Sequence, residues 1–194
     1  KLRHAAALVN AGNPAAARAV LDEVDAKRPD EPRALLLRVD AERALRNYDA
    51  AERAARKLME LQPTQLYGPQ ALARVLGERR QYREIVNTLE PVVAKASTNS
   101  ESSRALMGLR VTLATAYQEL REFDKAVATF EAAVRADPDD AIVPAYLAQA
   151  YVPGGRPEKA AEVARAARVR HPNDLRLPGA EAAARLKAGQ RDEA

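Results

Sequence analysis

Few residues in this chain have the side chains and spacing that catalysis or metal binding requires. The 194 residues include no cysteine, which excludes disulfides and thiolate metal sites, and the two histidines, His4 and His171, lie far apart. Three carboxylates stand together at Asp22, Glu23 and Asp25, but no histidine lies beside them. We find no set of nucleophile, base and orienting residue, and no phosphate-binding glycine loop. The sequence therefore predicts a protein that is not an enzyme and that holds no cofactor and no metal ion.

The composition indicates which elements make up the fold. Hydrophobic residues form 47% of the chain, charged residues 30% and aromatic residues 4%, and alanine, leucine, arginine and glutamate dominate, which favours an all-helical fold. The net charge of +4 is spread over a mixed field, and no apolar run is long enough to span a membrane. Because the first residue is Lys1 rather than methionine, we expect a fragment of a larger protein. We expect a soluble segment, with its location open between the bacterial cytoplasm and periplasm.

A repeat is visible in the prolines that close successive apolar, charged runs. Pro29 and Pro63 are 34 residues apart, as are Pro138 and Pro172. The 75 residues between Pro63 and Pro138 correspond to two further periods plus seven inserted residues. The small, polar residues of the segment 96–103 supply that insertion.

The same register holds within each period. Positions 12, 8 and 5 residues before the proline are small or apolar and lie on one face of a helix, because their spacings are four and three residues. An earlier helix precedes each of these, and a short break separates the two. In these breaks Gly12 and Gly155 suit a left-handed cap that ends the first helix, and Asn13 and Asn47 suit the N-cap of the second. We also expect His4 at a core-facing position of the first helix.

The most complete period resembles the tetratricopeptide repeat. It reads L-A-T-A-Y over residues 113–117, and its second helix continues with Phe123, Ala126, Phe130, Ala133 and Pro138. This resemblance implies an all-α fold, a right-handed α-solenoid (superhelix) of about five to six antiparallel helix-pair repeats. We expect a single array over 1–194, with repeats at about 1–29, 30–63, 64–97, 104–138 and 139–172 and an incomplete one at 173–194.

Some residues depart from that pattern. Arg38 and Glu42 stand where leucine and tyrosine are usual, so either the helix is shifted by one residue or the two side chains pair across a turn. Pro69, Pro144 and Pro178 fall early in first helices, and we expect each of those helices to begin within a few residues of its proline.

The resemblance implies a function in binding other proteins. Members of the family bind a peptide or protein segment in the concave groove that the first helices line. We therefore expect a non-catalytic interaction scaffold, possible settings being bacterial envelope, secretion or polysaccharide-assembly complexes. Self-association through the uncapped C-terminal end is a further expectation. Helical geometry places these partner-binding candidates in the groove: Asp40, Arg43, Tyr67, Gln70, Arg74, Thr115, Gln118, Tyr146 and Gln149, with Leu36, Val111 and Ile142 beside them.

The sequence is also compatible with two other functions. The sequence pI of about 9.5 leaves an RNA-binding helical repeat as an alternative, although the charge is mixed and nucleic acid is an unlikely partner. A second alternative is a regulatory module that is attached to an enzyme or to an outer-membrane barrel elsewhere in the full chain. Family members that clamp a chaperone tail use a lysine and asparagines on successive first helices. Here the lysine positions hold Leu36, Gln70, Val111 and Ala145, and the asparagine positions hold Asp40, Arg74, Thr115 and Gln149, so we expect no such clamp.

Overall fold

The computed structural model describes residues 1–96, 103–174 and 176–189. These residues form eleven α-helices, and no strand occurs among them, which confirms the all-helical fold. The helices are α1 Leu2–Asn10, α2 Pro14–Asp25, α3 Pro32–Ala44, α4 Tyr48–Leu61, α5 Tyr67–Glu78, α6 Tyr82–Lys95, α7 Ser103–Glu119, α8 Phe123–Ala136, α9 Val143–Tyr151, α10 Pro157–Arg170 and α11 Arg176–Lys187.

The chain divides into two compact units, Lys1–Ser97 (unit 1) and Thr98–Ala194 (unit 2). Unit 1 contains the helix pairs α1–α2, α3–α4 and α5–α6, and unit 2 contains α7–α8 and α9–α10 followed by α11. Residues 97–102 of the expected insertion lie outside the described residues. The arrangement of all repeats as one array stays a prediction.

The breaks within the helix pairs share one backbone conformation. Each contains a left-handed residue, and the next amide N–H donates to a carbonyl five residues back, as from Asn13 to Leu8 (2.9 Å) and from Glu122 to Tyr117 (2.8 Å). Gly12 and Gly155 are left-handed as expected. The sequence pattern did not identify the three arginines that hold the same position: Arg46, Arg80 and Arg121, with φ of 59°, 54° and 61°.

The helix starts agree with the sequence in most cases. The Asn13 side chain accepts a hydrogen bond from the Ala16 amide (3.3 Å), which confirms its role as an N-cap. Asn47 is the N-cap residue of α4 as expected, but its side chain makes no cap hydrogen bond, because the side-chain amide donates to Glu42 (2.9 Å). The helices that contain Pro69, Pro144 and Pro178 begin within two residues before each proline, as expected.

The core of each unit lies between the helices of a pair and the next first helix. The residues 12 before the repeat proline are all buried, at Ala17, Ala51, Ile85, Ala126 and Ala160. Their small size in four repeats lets the neighbouring helix approach closely. The core-facing expectation for His4 is wrong. His4 is exposed, and the next residue in the helix, Ala5, takes the buried position.

In unit 1 the first helices of neighbouring pairs contact each other, from α1 to α3 and from α3 to α5, and in unit 2 α9 contacts α11. The pair α7–α8 joins the next pair mainly through contacts between α8 and α9. Within the described parts of each unit, second helices make no comparable contact with each other. In unit 1, and between α9 and α11 in unit 2, the first helices of successive pairs therefore lie next to each other.

Candidate interaction surfaces

The first-helix face of unit 1 consists of Leu36, Asp40, Arg43, Tyr67, Gln70 and Arg74, on α3 and α5. The carboxylate of Asp40 joins the two helices, because it accepts from Arg74 (Nη2–Oδ1 3.0 Å) as well as from Arg43 (Nη1–Oδ1 3.4 Å). Arg43 also donates from Nε to Glu78 (3.0 Å). Both predicted arginines are thus already paired with carboxylates, which lowers their net attraction for an acidic ligand.

Glu78 completes this network, and the sequence pattern did not identify it. Its position four residues after Arg74 places it on the same side of α5 and was a usable signal. Tyr67 and Gln70 are half-buried on that helix, whereas the Arg74 side chain keeps 49% of its surface exposed. The structure therefore brings together Asp40, Arg43 and Arg74 and leaves Arg74 as the more accessible of the two cations.

A second network stabilises the packing behind α3. Arg38 contacts Glu42 across one helical turn (3.8 Å), which decides between the two alternatives that the sequence left open. Its guanidinium also pairs with Asp25 (2.7 Å) and Asp22 (2.9 Å) on α2. Burial of the Arg38 guanidinium lowers its pKa, but hydrogen bonds to Asp22 and Asp25 outweigh that effect and raise the pKa above its usual value.

The first-helix face of unit 2 consists of Val111, Thr115, Gln118, Ile142, Tyr146 and Gln149, on and beside α7 and α9. Ile142 is 43% exposed and Tyr146 is 39% exposed, one helical turn apart. The Tyr146 ring stacks on the buried ring of Phe130 in α8, with centroids 6.0 Å apart and an angle of 14° between the planes. One side of the Tyr146 ring is therefore fixed by the core, and much of the side chain still faces solvent.

The other candidates in unit 2 differ in accessibility. Gln149 is exposed, and Gln118 is half-buried. Thr115 is exposed, but its hydroxyl donates to the carbonyl of Val111 one turn earlier (2.9 Å). Thr115 can thus offer a ligand only its acceptor lone pairs while that bond persists.

Tyr151 anchors α9 from its buried side. Its phenol donates a hydrogen bond to Glu131 of α8. Burial, followed by the hydrogen bond and the negative charge of Glu131, raises the pKa of Tyr151 to about 12. This hydrogen bond connects α9 to α8.

Across residues 1–96, 103–174 and 176–189, no three histidine or acidic side chains are grouped in a way that could hold a metal ion. Within these same residues, no helix combines the length and the apolar character needed to cross a membrane.

Stacked helix pairs with exposed polar and aromatic side chains on their first helices define a helical-repeat protein. Residues 2–65 and 111–174 match the sequence profile of the family described as Tetratricopeptide repeat. Because these regions make up more than half of the chain, the chain belongs to the tetratricopeptide repeat family. Its fold is typical of scaffolds for protein–protein interaction. No curated protein sequence matches the chain.

Solved structures with the same fold include three informative examples. MamA residues 41-end from Desulfovibrio magneticus RS-1 is 22% identical, with a TM-score of 0.72 over 89% of this chain and 94% of that one. YrrB, described as a TPR protein with an unusual peptide-binding site, is 17% identical, with a TM-score of 0.70 over 93% and 89%. TTC0263, a thermophilic TPR protein in Thermus thermophilus, is 22% identical, with a TM-score of 0.59 over 95% and 97%. At these identities the likeness establishes the fold.

Proposed function

We propose that this chain is a non-catalytic scaffold that binds a segment of another protein on the first-helix face of unit 2. The observation that carries the proposal is the pair Ile142 and Tyr146, two large apolar side chains exposed one turn apart on a first helix. Partly exposed aromatic and aliphatic side chains of this kind are typical anchors of protein interfaces.

Tyr146 is suited to this role because it is already ordered. Its stack on Phe130 restricts the ring before any ligand arrives, so binding costs less side-chain entropy than it would for a free tyrosine. An apolar side chain of the partner would pack between Ile142 and the open part of the Tyr146 ring. The exposed amide of Gln149, one turn further along α9, can hydrogen-bond with the partner's backbone.

The first-helix face of unit 1, considered by itself, offers polar contacts. Arg74 is the candidate there, since its half-exposed guanidinium has N–H groups beyond the one that meets Asp40. The peptide-binding site described for YrrB supports the general idea that a stack of these repeats can hold a peptide. Both considerations favour a peptide segment as ligand over a small molecule.

Peptide selection tests this proposal directly. A library of random twelve-residue peptides is selected on the immobilised 194-residue chain, and the enriched peptides are synthesised and titrated by calorimetry. We expect Ile142→Ser to weaken their binding about tenfold, which corresponds to about 1.4 kcal/mol. Ile142 is the N-cap residue of α9, where serine is favourable, so this substitution removes the apolar contact without weakening the helix.

Val169→Ser is the matched control, because Val169 is 77% exposed on the second helix α10. Its affinity for the selected peptides should equal that of the unmodified chain. Equal affinities of the Ile142→Ser and Val169→Ser chains would remove the basis for placing the ligand on α9.

A further inference from the structure

A second surface, in unit 1, carries positive charge that the protein itself does not neutralise. A cleft of about 480 Å³ opens where the start of α1, the end of α2 and the start of α3 meet. We call it the basic cleft. It is lined by two acids, Glu23 and Glu31, and by five cations: Lys1, Arg3, Lys27, Arg28 and Arg33.

Most cations of the basic cleft form no ion pair with a described residue, a property that they share with Arg18, Arg46, Arg53 and Arg80 of unit 1, although Lys27 interacts electrostatically with Glu23. The Lys1 ammonium pairs with Glu23, whereas Arg3, Lys27, Arg28 and Arg33 are exposed and form no ion pair with any described residue. Arg38 and Arg43, by contrast, each pair with two or more carboxylates. The cations of the basic cleft share one concave site, where like charges reinforce one another.

Helix dipoles account for the positions of only some of these cations. Lys27 and Arg28 follow the C-terminal end of α2, where positive charge interacts favourably with the helix dipole. Arg33 is the second residue of α3, in a first turn that contains no acidic residue. A cation is unfavourable at a helix N-terminus. The placement of Arg33 works against helix stability, and an anionic ligand would account for it.

The lining of the basic cleft indicates the class of that ligand. Leu2 is half-buried and Val24 is buried, so part of the surface is apolar. No aromatic side chain lines the cleft for a nucleic-acid base to stack on. The carboxylates of Glu23 and Glu31 would repel a continuous phosphate backbone, but they leave room for separate acidic side chains.

We infer that the basic cleft binds an acidic segment of a partner protein, with carboxylates at Arg3, Arg28 and Arg33 and an apolar side chain against Leu2. This site lies in unit 1 and uses none of the residues assigned to the first-helix face of unit 2. The two proposals can therefore fail separately.

A defined peptide provides the test. The probe is a fluorescein-labelled peptide of four Glu-Asp-Leu repeats. Its affinity for the 194-residue chain is measured by fluorescence anisotropy. The Arg3→Glu/Arg33→Glu chain should bind it at least about tenfold more weakly. Arg18→Glu/Arg53→Glu is the matched control, because it changes the net charge equally at two exposed residues of unit 1 outside the cleft, and it should bind within about twofold of the unmodified chain.

Thermal unfolding separates a binding role from a structural one. Because glutamate is favourable in a helix first turn, the Arg3→Glu/Arg33→Glu chain should have an unchanged or higher Tm while losing the peptide. The inference is overturned if the unmodified chain does not bind the peptide, or if both double variants lose it equally. It is also overturned if labelled oligouridine of the same length binds more tightly and responds to the same variants.

Discussion

The two units use the same helix-pair frame but present different chemistry to solvent. Unit 1 contains 17 lysines and arginines and 13 aspartates and glutamates, whereas unit 2 contains 14 of each. The net charge of +4 therefore belongs entirely to unit 1. Among the described residues, four of the five exposed large hydrophobic side chains belong to unit 2, namely Ile142, Tyr146, Val169 and Leu186.

This difference shows that the two units are alike at buried positions and unlike at surface positions. The buried positions of the two units obey one pattern, because each helix pair must meet its neighbours in the same way. Surface positions are free of that constraint. They carry the excess positive charge in unit 1 and, among the described residues, most of the exposed large hydrophobic side chains in unit 2. Substitutions in both units can test whether the cores are as equivalent, and the surfaces as different, as the structure indicates.

The largest effect is expected from a change in the core of unit 2. Phe130→Ala should lower the free energy of unfolding by about 3–5 kcal/mol, because it leaves a cavity among fully buried neighbours and removes the support of Tyr146. Leu89→Ala at the equivalent position of unit 1 should cost about 2–5 kcal/mol if the cores are alike. Urea unfolding followed by circular dichroism measures both, with Val169→Ala as an exposed control. A loss below about 1 kcal/mol for either core variant would contradict the packing.

The next effect concerns buried charge in unit 1. Arg38→Met should cost about 2 kcal/mol, since it leaves buried Glu42 without its cation and also removes two bonds to α2. Arg156→Met in unit 2 removes a pair with Asp124, whose side chain is 85% exposed, and should cost at most about 1 kcal/mol. Chemical denaturation in low and high salt gives both values. Equal costs would show that the ion pairs of the two units do not differ in strength.

Alkaline pH tests the anchor beneath the first-helix face of unit 2. The unfolded chain releases the Tyr151 proton near pH 10, whereas the folded chain keeps it until about pH 12. The unfolded state therefore gains progressively between these values, and stability should fall, by about 1 kcal/mol at pH 11. Tyr151→Phe should lose this component of the pH dependence, as measured by urea unfolding from pH 9 to pH 11. An unchanged slope in the variant would argue against a raised pKa.

The smallest effect is a gain in stability at the turns that both units share. Arg46→Gly in unit 1 and Arg121→Gly in unit 2 should each stabilise the chain by about 0.5–1 kcal/mol, because glycine adopts the left-handed conformation without steric cost. Gly155→Ala should destabilise the chain by about 1 kcal/mol, because alanine adopts the left-handed conformation less readily than glycine. The added Cβ would meet no atom within 4 Å, so no steric clash adds to this cost. Thermal unfolding compares the three. A loss of stability in both arginine variants would mean that these side chains contribute contacts of their own.

The sequence predicted the parts of this structure that periodicity determines. Ala17, Ala126 and Ala160 are buried where a 34-residue period puts them, and Gly12 and Gly155 end their helices in the left-handed conformation. The 34-residue period contains only the features that all repeats share. The period therefore predicted the core faces of the second helices and the class of protein.

The remaining features depend on side-chain geometry between helices, which spacing does not reveal. Asn47 is positioned to cap α4, but its side-chain amide donates a hydrogen bond to the nearby carboxylate of Glu42. The stack of Tyr146 on Phe130 joins residues of different helices and fixes the exposed ring. The nine predicted groove residues stay a prediction as ligand contacts, although the structure shows that Asp40, Arg43 and Arg74 form one network.

Fluorescence labels on α9 and α10 can test directly whether a partner segment binds on the first-helix face of unit 2. Because the chain has no cysteine, Ile142→Cys and Val169→Cys each create a single labelling site for an environment-sensitive fluorophore. Each labelled chain is titrated with a peptide selected on the unmodified chain. We predict a saturable change in emission from the label at residue 142 and none from the label at residue 169. A change at residue 169 with none at residue 142 would contradict the claim.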